Sequence, residues 1–227
     1  MHCFVTAGPT WEPLDQARRL TNFSTGRLGG ELANALIIAG HSVDLFLSET
    51  ALWQAPLAAL TLHRFSTTRS LEEAIRAVAT SMPIAFFHAA AVSDFSGVKA
   101  YRRTAEGTLE PVSGGKPTTS GGTLWVELQT TPKILPRLRD WFPQGRLTGW
   151  KYEVEGGVED ALARGFQQMG HARTDACVVN GPAYGEGFGV VSPTGKLRRC
   201  ATRDELIQHL VSAVDDEVAP GDDFKRL

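Results

Sequence analysis

Residues 21–34, TNFSTGRLGGELAN, bring an amide (Asn22), two hydroxyls (Ser24, Thr25), a guanidinium (Arg27) and three glycines (Gly26, Gly29, Gly30) to the start of an amphipathic pattern. Unpaired N–H groups and the positive dipole end of a helix N-terminus attract phosphate, and glycines let a ligand approach the backbone. Hydroxyls and a fixed positive charge add donors of the same sense. A plainer account of the same residues has Ser24 or Thr25 capping the helix and the glycines easing its packing. A Rossmann dinucleotide site wants G-x-G-x-x-G tight against the first strand. Here only Gly8 stands there, so NAD binding and an oxidoreductase are disfavoured.

The elements that must position these residues follow from periodicity. HCFVTAG is a short buried strand closed by Gly8-Pro9, and Leu28, Leu32, Leu36 and Ala39 mark one helical face ending at Gly40. SVDLFLS is a strand, LEEAIRAVATSM a helix with Leu71, Ile75, Val78 and Met82 on one face, and IAFFHAAAV a continuous apolar strand. Further on, TPKILPRLRDWF is helical despite Pro136, RLTGWKY a strand, VEDALARGFQQMG a helix and TDACVVNG a strand. FGVVSP and KLRRCA flank a turn at Thr194-Gly195, and a closing helix carries a capping-box pattern at Thr202 and Glu205. The expected fold is α/β: a Rossmann-like, doubly wound, mostly parallel sheet with helices on both faces, plus a small C-terminal β-hairpin and a mobile flap. One domain is expected over residues 1–218, with the flap at about 95–122 and a tail at 219–227.

Such sheets bind ligands beyond the carboxyl ends of their strands, which singles out the loops after residues 7, 47, 91, 151 and 180. The connection from Gly8 to Arg27 runs about 20 residues, far beyond the usual 2–6, and 95–122 is longer and rich in Gly, Ser and Thr. Loops of that length are functional or disordered.

Composition narrows the chemistry. A net charge of -2 excludes a broad nucleic-acid surface, so an anionic ligand must be caught locally. The six histidines lack metal-ligand spacing, and no protein metal site is expected. The three cysteines, Cys3, Cys177 and Cys200, lie in apolar or strand-like runs, as reduced thiols of a cytoplasmic protein would. No run approaches ~18 apolar residues, so no membrane span is expected.

VTAGPTWEPLD, LTNFSTGRLGGELA, HAAAVSDF, GGK ahead of TPKIL, LTGWKYE, TDACVVN and FGVV, in that order, resemble the motifs of phosphopantothenoylcysteine synthetase. The resemblance covers about residues 4–210, and its wording is closer to the stand-alone eukaryotic type than to the bifunctional bacterial type. It implies a two-step ligation that uses CTP or ATP with Mg²⁺ and no flavin. The carboxylate of 4'-phosphopantothenate takes the nucleotide with loss of pyrophosphate, and the amine of L-cysteine then displaces it. A homodimer is implied, with the 8–27 loop extended toward the partner.

Residue by residue, the resemblance implies that Gly8, Ser24, Thr25, Gly26 and Arg27 supply phosphate donors, with Ala91, Ser93, Asp94, Trp150 and Lys151 around the nucleotide. Asn22 would hold the acyl oxygen as charge gathers on it, Asn180 would touch substrate, and Lys116 would close over the triphosphate on the flap. Taken alone, Asn22 is a turn residue, Lys116 a solvated loop lysine, and Asp94 either a ribose or base contact or a turn cap. Asn180 is followed by Gly-Pro, and the flap keeps a single lysine in GGKPTT. These departures keep two other readings open: a ligase of other carboxylate and amine specificity, and a nucleotide-binding module without catalysis.

Overall fold

The computed structural model describes residues 1–79, 85–104, 106–112 and 123–216, Val98 by its backbone alone. The chain opens with β1 (His2–Ala7), whose residues alternate between two cores: Cys3, Val5 and Ala7 enter one, and Phe4 enters the other. α1 (Arg27–Ile38) covers the first core with Leu32, Ala33 and Leu36 and stops at Gly40, which adopts φ +90°. β4 (Ser42–Ser48) pairs parallel with β1. β5 (Thr61–Phe65) follows, then α2 (Thr68–Ala77), β6 (Ala85–His88), α3 (Leu135–Trp141) and β10 (Arg146–Tyr152). α4 (Val158–Ala172), β11 (Ala176–Asn180), β12 (Phe188–Val191), β13 (Leu197–Cys200) and α5 (Arg203–Asp215) complete the main layer structure.

Among the described residues the main sheet has eight strands in the order β13-β12-β11-β10-β6-β1-β4-β5. β5, β4, β1, β6, β10 and β11 run parallel. Numbered by order of use, those strands have the 3-2-1-4-5-6 arrangement of doubly wound nucleotide-binding sheets, whose crossover falls between β1 and β6. The expected C-terminal hairpin, β12 and β13, is present and extends this sheet antiparallel beyond β11.

Helices lie on both faces, as the alternation predicts. α1 and α5 pack over Val5, Leu45, Val178 and Val190, while α2 and α3 close a second core built on aromatic rings. There Phe4 meets Phe46, Phe86 and Phe142 edge-on at 5.9, 5.8 and 5.7 Å, contacts worth roughly 0.5–1.5 kcal/mol each beyond area burial. α4 lies over Cys177, Val179 and Val191. The three cysteines are buried free thiols, and burial pushes Cys3 and Cys177 up to about 12. They are packing residues at neutral pH.

Several expectations need correction. β5 was not anticipated: TLHRF is an edge strand with mostly half-exposed side chains, so it lacks the apolar run that betrays a central strand. The connection from Gly8 to Arg27 is a hairpin of β2 (Trp11–Pro13) and β3 (Arg19–Thr21), paired antiparallel, with Arg19 lying over the Trp11 ring. In and just after the stretch expected to be the flap, β7 (Phe95–Arg103), β8 (Leu109–Pro111) and β9 (Leu124–Thr130) form a three-stranded sheet. The rest of the expected flap, with Lys116, and the 219–227 tail lie outside the described residues, as does Met82. β6 is shorter than the apolar run that announced it, because Ala89–Val92 leave the sheet. Pro136 opens α3 rather than interrupting it, a position where its missing N–H costs nothing. In α5, Thr202 accepts from Glu205 N, but the Glu205 carboxylate reaches Ala201 N, so the capping box is displaced by one residue.

Candidate functional site at the crossover of the sheet

β1 ends at the crossover, and its continuation is zipped to the loop after β6. Ala91 N donates to Gly8 O at 3.0 Å and Thr10 N donates to Ala91 O at 3.1 Å, around a parallel bridge between Pro9 and Ala91. Gly8 turns the chain with φ +88°, and Gly26, the N-cap of α1, has φ +74°. A Cβ on Gly26 would lie 3.0 Å from Ala51 Cβ and 3.2 Å from Gly8 Cα. One on Gly29 would lie 2.8 Å from Ala7 Cβ and 3.0 Å from Thr6 O.

Gly8, Gly26 and Gly29 therefore divide among themselves the three tasks of a G-x-G-x-x-G loop: the tight turn, the close backbone at the helix start, and the close packing of helix on strand. The β2–β3 hairpin is inserted between the first and the second. Their separation in sequence is closed in space. Gly30 does something else: a Cβ there would sit 2.3 Å from Trp53 Cε3, so this glycine seats an indole and does not admit a ligand.

The start of α1 is left open. Its N-cap makes no side-chain cap bond and no acidic residue occupies its first turn. Ser24 Oγ and Thr25 Oγ1 accept only long local bonds, from Gly26 N at 3.4 Å and Arg27 N at 3.3 Å. By contrast, Thr67 caps α2 and Glu12 accepts from Thr68 N at 2.8 Å, while Thr202 caps α5. The N–H groups that a helix leaves unpaired in its first turn thus stand beside Gly8, where a negative group is favoured.

Asn22 follows β3 and hangs over the loop after β6, its Nδ2 donating to Val92 O at 3.1 Å and, less closely, to Ala91 O at 3.4 Å. That loop is held from below. Ala90 N donates to Thr6 Oγ1 at 3.1 Å, and the same hydroxyl lies 3.0 Å from His88 Nδ1. Burial pushes the His88 imidazole down to about 4, so it is neutral at physiological pH. Ser93 N donates to Thr10 Oγ1 at 2.8 Å, Ser93 Oγ donates to Phe95 O, and Thr131 Oγ1 donates to Ser93 O at 2.5 Å. The Ser93 hydroxyl therefore fixes the loop's path.

Each rim cation has a carboxylate partner. Arg27 Nε donates to Glu31 Oε1 at 2.5 Å, and Arg203 shares Glu31 through Oε2 at 3.2 Å. Burial raises the Glu31 carboxyl, but the bonds from Arg27 and Arg203 outweigh it and the net shift is downward. Lys151 Nζ lies 3.0 Å from Glu153 Oε1, and Arg164 takes Oε2. Glu153 is likewise held below its ordinary value against the cost of burial. Lys133 donates to Asp94. Glu31, His88, Lys133 and Glu153 escaped the sequence reading, because hydrogen-bond partners far apart in sequence leave no periodic trace. The TPKIL motif was the one pointer to Lys133.

Trp150 is half-buried against the α1/α5 core, with its indole N–H enclosed and unpaired, and its carbonyl accepts from Gln168 Nε2 at 3.1 Å. Only its remaining exposed edge is open to a ligand. Asn180 ends β11, and its carbonyl accepts from Glu153 N at 2.9 Å, which ties the loops after β10 and β11 together. The structure thus gathers Gly8, Asn22, Ser24, Thr25, Gly26, Arg27, Ala91, Ser93 and Asp94 around the crossover, with Trp150, Lys151 and Asn180 on the neighbouring strand ends. A surface depression of about 580 Å³ lies elsewhere, at the start of β11, and its Arg139 is committed to Asp175 at 2.6 Å. Among the described residues no group of three or more His, Cys, Asp or Glu side chains is placed to hold a metal ion. None of the described helices is long and apolar enough to cross a membrane.

A doubly wound sheet with an uncapped helix start at its crossover defines a Rossmann-like protein, in which that helix end favours a negative group. Residues 1–209 match the family model of the DNA/pantothenate metabolism flavoprotein C-terminal domain, and the chain belongs to that family. It is 29% identical over 180 residues to the coenzyme A biosynthesis bifunctional protein CoaBC of Thermococcus kodakarensis, covering 78% of this chain and 40% of the relative. The CoaBC of Bacillus subtilis is 29% identical over 189 residues, 83% of this chain and 42% of the relative. The chain thus spans about two-fifths of the length of these curated relatives. Among solved structures, the DNA/pantothenate metabolism flavoprotein from Streptococcus pneumoniae superposes with a TM-score of 0.84 at 22% identity, covering 96% of this chain and 99% of that one. A Cab2 mutant in complex with phosphopantothenate-cysteine gives 0.73 at 21% identity, over 96% and 87%.

Proposed function

We propose that this chain is a phosphopantothenate–cysteine ligase of coenzyme A biosynthesis. A carboxylate oxygen of 4'-phosphopantothenate attacks the α-phosphorus of CTP or ATP, and the bond to the departing pyrophosphate breaks. The cysteine amine then attacks the acyl carbon, forming the amide and releasing the nucleoside monophosphate, with the amine proton passing to solvent. The observation that carries this reading is the open start of α1 beside Gly8, with Asn22 poised over the Ala91–Val92 backbone at the same crossover. Membership of the family supports the pathway.

In this reading Gly8, Ser24, Thr25, Gly26 and Arg27 bind phosphate, and Ala91, Ser93, Asp94, Lys151 and the exposed edge of Trp150 surround the nucleotide. Asn22 receives the acyl oxygen and Asn180 contacts the acid substrate. Lys116 acts from outside the described residues. Asn22 must exchange the carbonyls of Ala91 and Val92 for that oxygen, so its amide is delivered by substrate binding. Mg²⁺ bound to the triphosphate would offset its charge; among the described residues no group of three or more His, Cys, Asp or Glu side chains is placed to hold it. The protein works as a cytoplasmic homodimer. Its fully exposed Phe23, with Phe95, Trp125 and Leu128 on the small sheet, supplies apolar surface for the partner.

The test is a pyrophosphate assay with CTP and ATP in turn. Release that needs 4'-phosphopantothenate but not cysteine for its first turnover is expected. Inorganic phosphate and a nucleoside diphosphate would establish an acyl-phosphate route instead, and nucleotide binding without any turnover would leave a nucleotide-binding module.

A further inference from the structure

Arg27, Lys133 and Lys151 all sit on carboxylates, but the three pairs are not alike. Glu31 and Glu153 are each shared between two cations, and the Glu153 side chain is only 11% exposed. Breaking either pair leaves a confined carboxylate still bound to its second cation, Arg203 or Arg164. Lys133 and Asp94 are 61% and 65% exposed, a water-screened pair of the kind worth about 0–1 kcal/mol. Nor is this pair needed to hold the chain. Thr131 N donates to Asp94 O at 3.0 Å and Thr131 Oγ1 to Ser93 O at 2.5 Å, so backbone-directed bonds already fasten the segment before α3 to the loop after β6. The same loop carries Val92, whose carbonyl receives Asn22. An ammonium with four rotatable bonds, weakly held beside a site for phosphates, is free to change partners.

We propose that Lys133 leaves Asp94 for the polyphosphate of the bound nucleotide, making it a substrate-contacting cation of this site with Asp94 as its resting partner. The inference rests on the nucleotide-dependent reading above. No covalent step is involved: one charge-assisted contact is exchanged for another, and the Asp94 carboxylate is released beside the nucleotide it flanks. Asp94 therefore competes with the nucleotide for the ammonium, and its removal acts opposite to removal of the lysine.

Calorimetric titration of the whole protein with CTP and with ATP, in Mg²⁺ and at fixed salt, separates this from a structural ion pair. Lys133→Ala is expected to weaken binding of whichever triphosphate the wild type takes by about tenfold, and to weaken the corresponding monophosphate less. Lys133→Arg restores most of the affinity. In Lys133→Ala the affinity gap between triphosphate and monophosphate narrows, whereas in Asp94→Asn that gap is kept or widens even if both nucleotides bind less tightly, and melting temperatures of all variants stay near wild type. An equal narrowing of the gap in Lys133→Ala and Asp94→Asn would mean a structural pair and overturn the proposal. So would unchanged affinity in Lys133→Ala while wild type binds normally, which leaves the ligase reading standing. A wild type that binds neither triphosphate overturns both.

Discussion

Gly26, the N-cap of α1, packs against Gly8, the turn that follows β1: a Cβ on Gly26 would come within 3.2 Å of Gly8 Cα and 3.3 Å of Gly8 N. This contact sets the open end of α1 against the crossover between β1 and β6. Gly26→Ala adds a methyl into that contact and also forces an alanine to φ +74°. The expected cost is about 1–3 kcal/mol of stability, together with a clear loss of nucleotide affinity. Gly40→Ala, at φ +90° with nothing within 4 Å of its Cβ, separates the two effects. It should lower stability through the backbone alone and leave affinity intact. Urea denaturation and titration calorimetry on both variants measure the difference.

Asn22→Asp places a negative charge where an acyl oxyanion is proposed to develop, and sets a carboxylate against the Ala91 and Val92 carbonyls that Nδ2 now meets. The cysteine step should slow by the equivalent of ~2.7–4 kcal/mol, the usual loss for one such donor, with nucleotidyl transfer less affected. Rapid-quench analysis should find accumulated acyl nucleotide. Wild-type rates in both half-reactions would remove Asn22 from catalysis.

Acid should loosen the loop after β6 through His88. Its folded value, pushed by burial to about 4, lies below the ordinary 6.5, so between those values the unfolded chain takes up a proton that the folded chain refuses. Stability is therefore intact above about pH 6.5 and falls as pH drops toward 4, by roughly 3 kcal/mol in all. His209, held down by burial and then by Arg198 and Arg146, acts in the same direction. The difference between wild type and His88→Asn isolates the His88 share. Denaturation midpoints from pH 4 to 7 should show a shallower slope in the variant.

If Lys116 closes over the triphosphate as proposed, Lys116→Gln should lower kcat for nucleotidyl transfer by a factor on the order of 10² with a smaller change in nucleotide affinity, since its charge would matter most as charge moves to pyrophosphate. Lys116→Arg should rescue poorly, because a planar fork does not follow a shifting point charge. Single-turnover kinetics decide the matter: normal turnover of Lys116→Gln would make it a solvated loop lysine.

How much of this was legible beforehand depends on how each feature is encoded. Strands buried on both faces, such as SVDLFLS and ACVVN, are continuous apolar runs, and helices such as α4 repeat their apolar residues every three or four positions, so a chain alternating them declares a parallel α/β sheet. The ordered motifs also pointed to the family now shown. β5, with exposed and charged positions at the sheet edge, has no such run, and β2 and β3 are three residues each, too short for any period to appear. β9 buries almost nothing. These elements exist because backbone groups found partners, and backbone partners are not written in side-chain pattern. The site divides along the same line. Residue types announced an anion-receiving helix start at Gly26 and an amide at Asn22. Only folding placed Gly26 on Gly8 across an inserted hairpin, buried His88 neutral beneath the loop that Asn22 touches, and paired Lys133 with Asp94, because contact between distant residues is decided by the packing of whole elements.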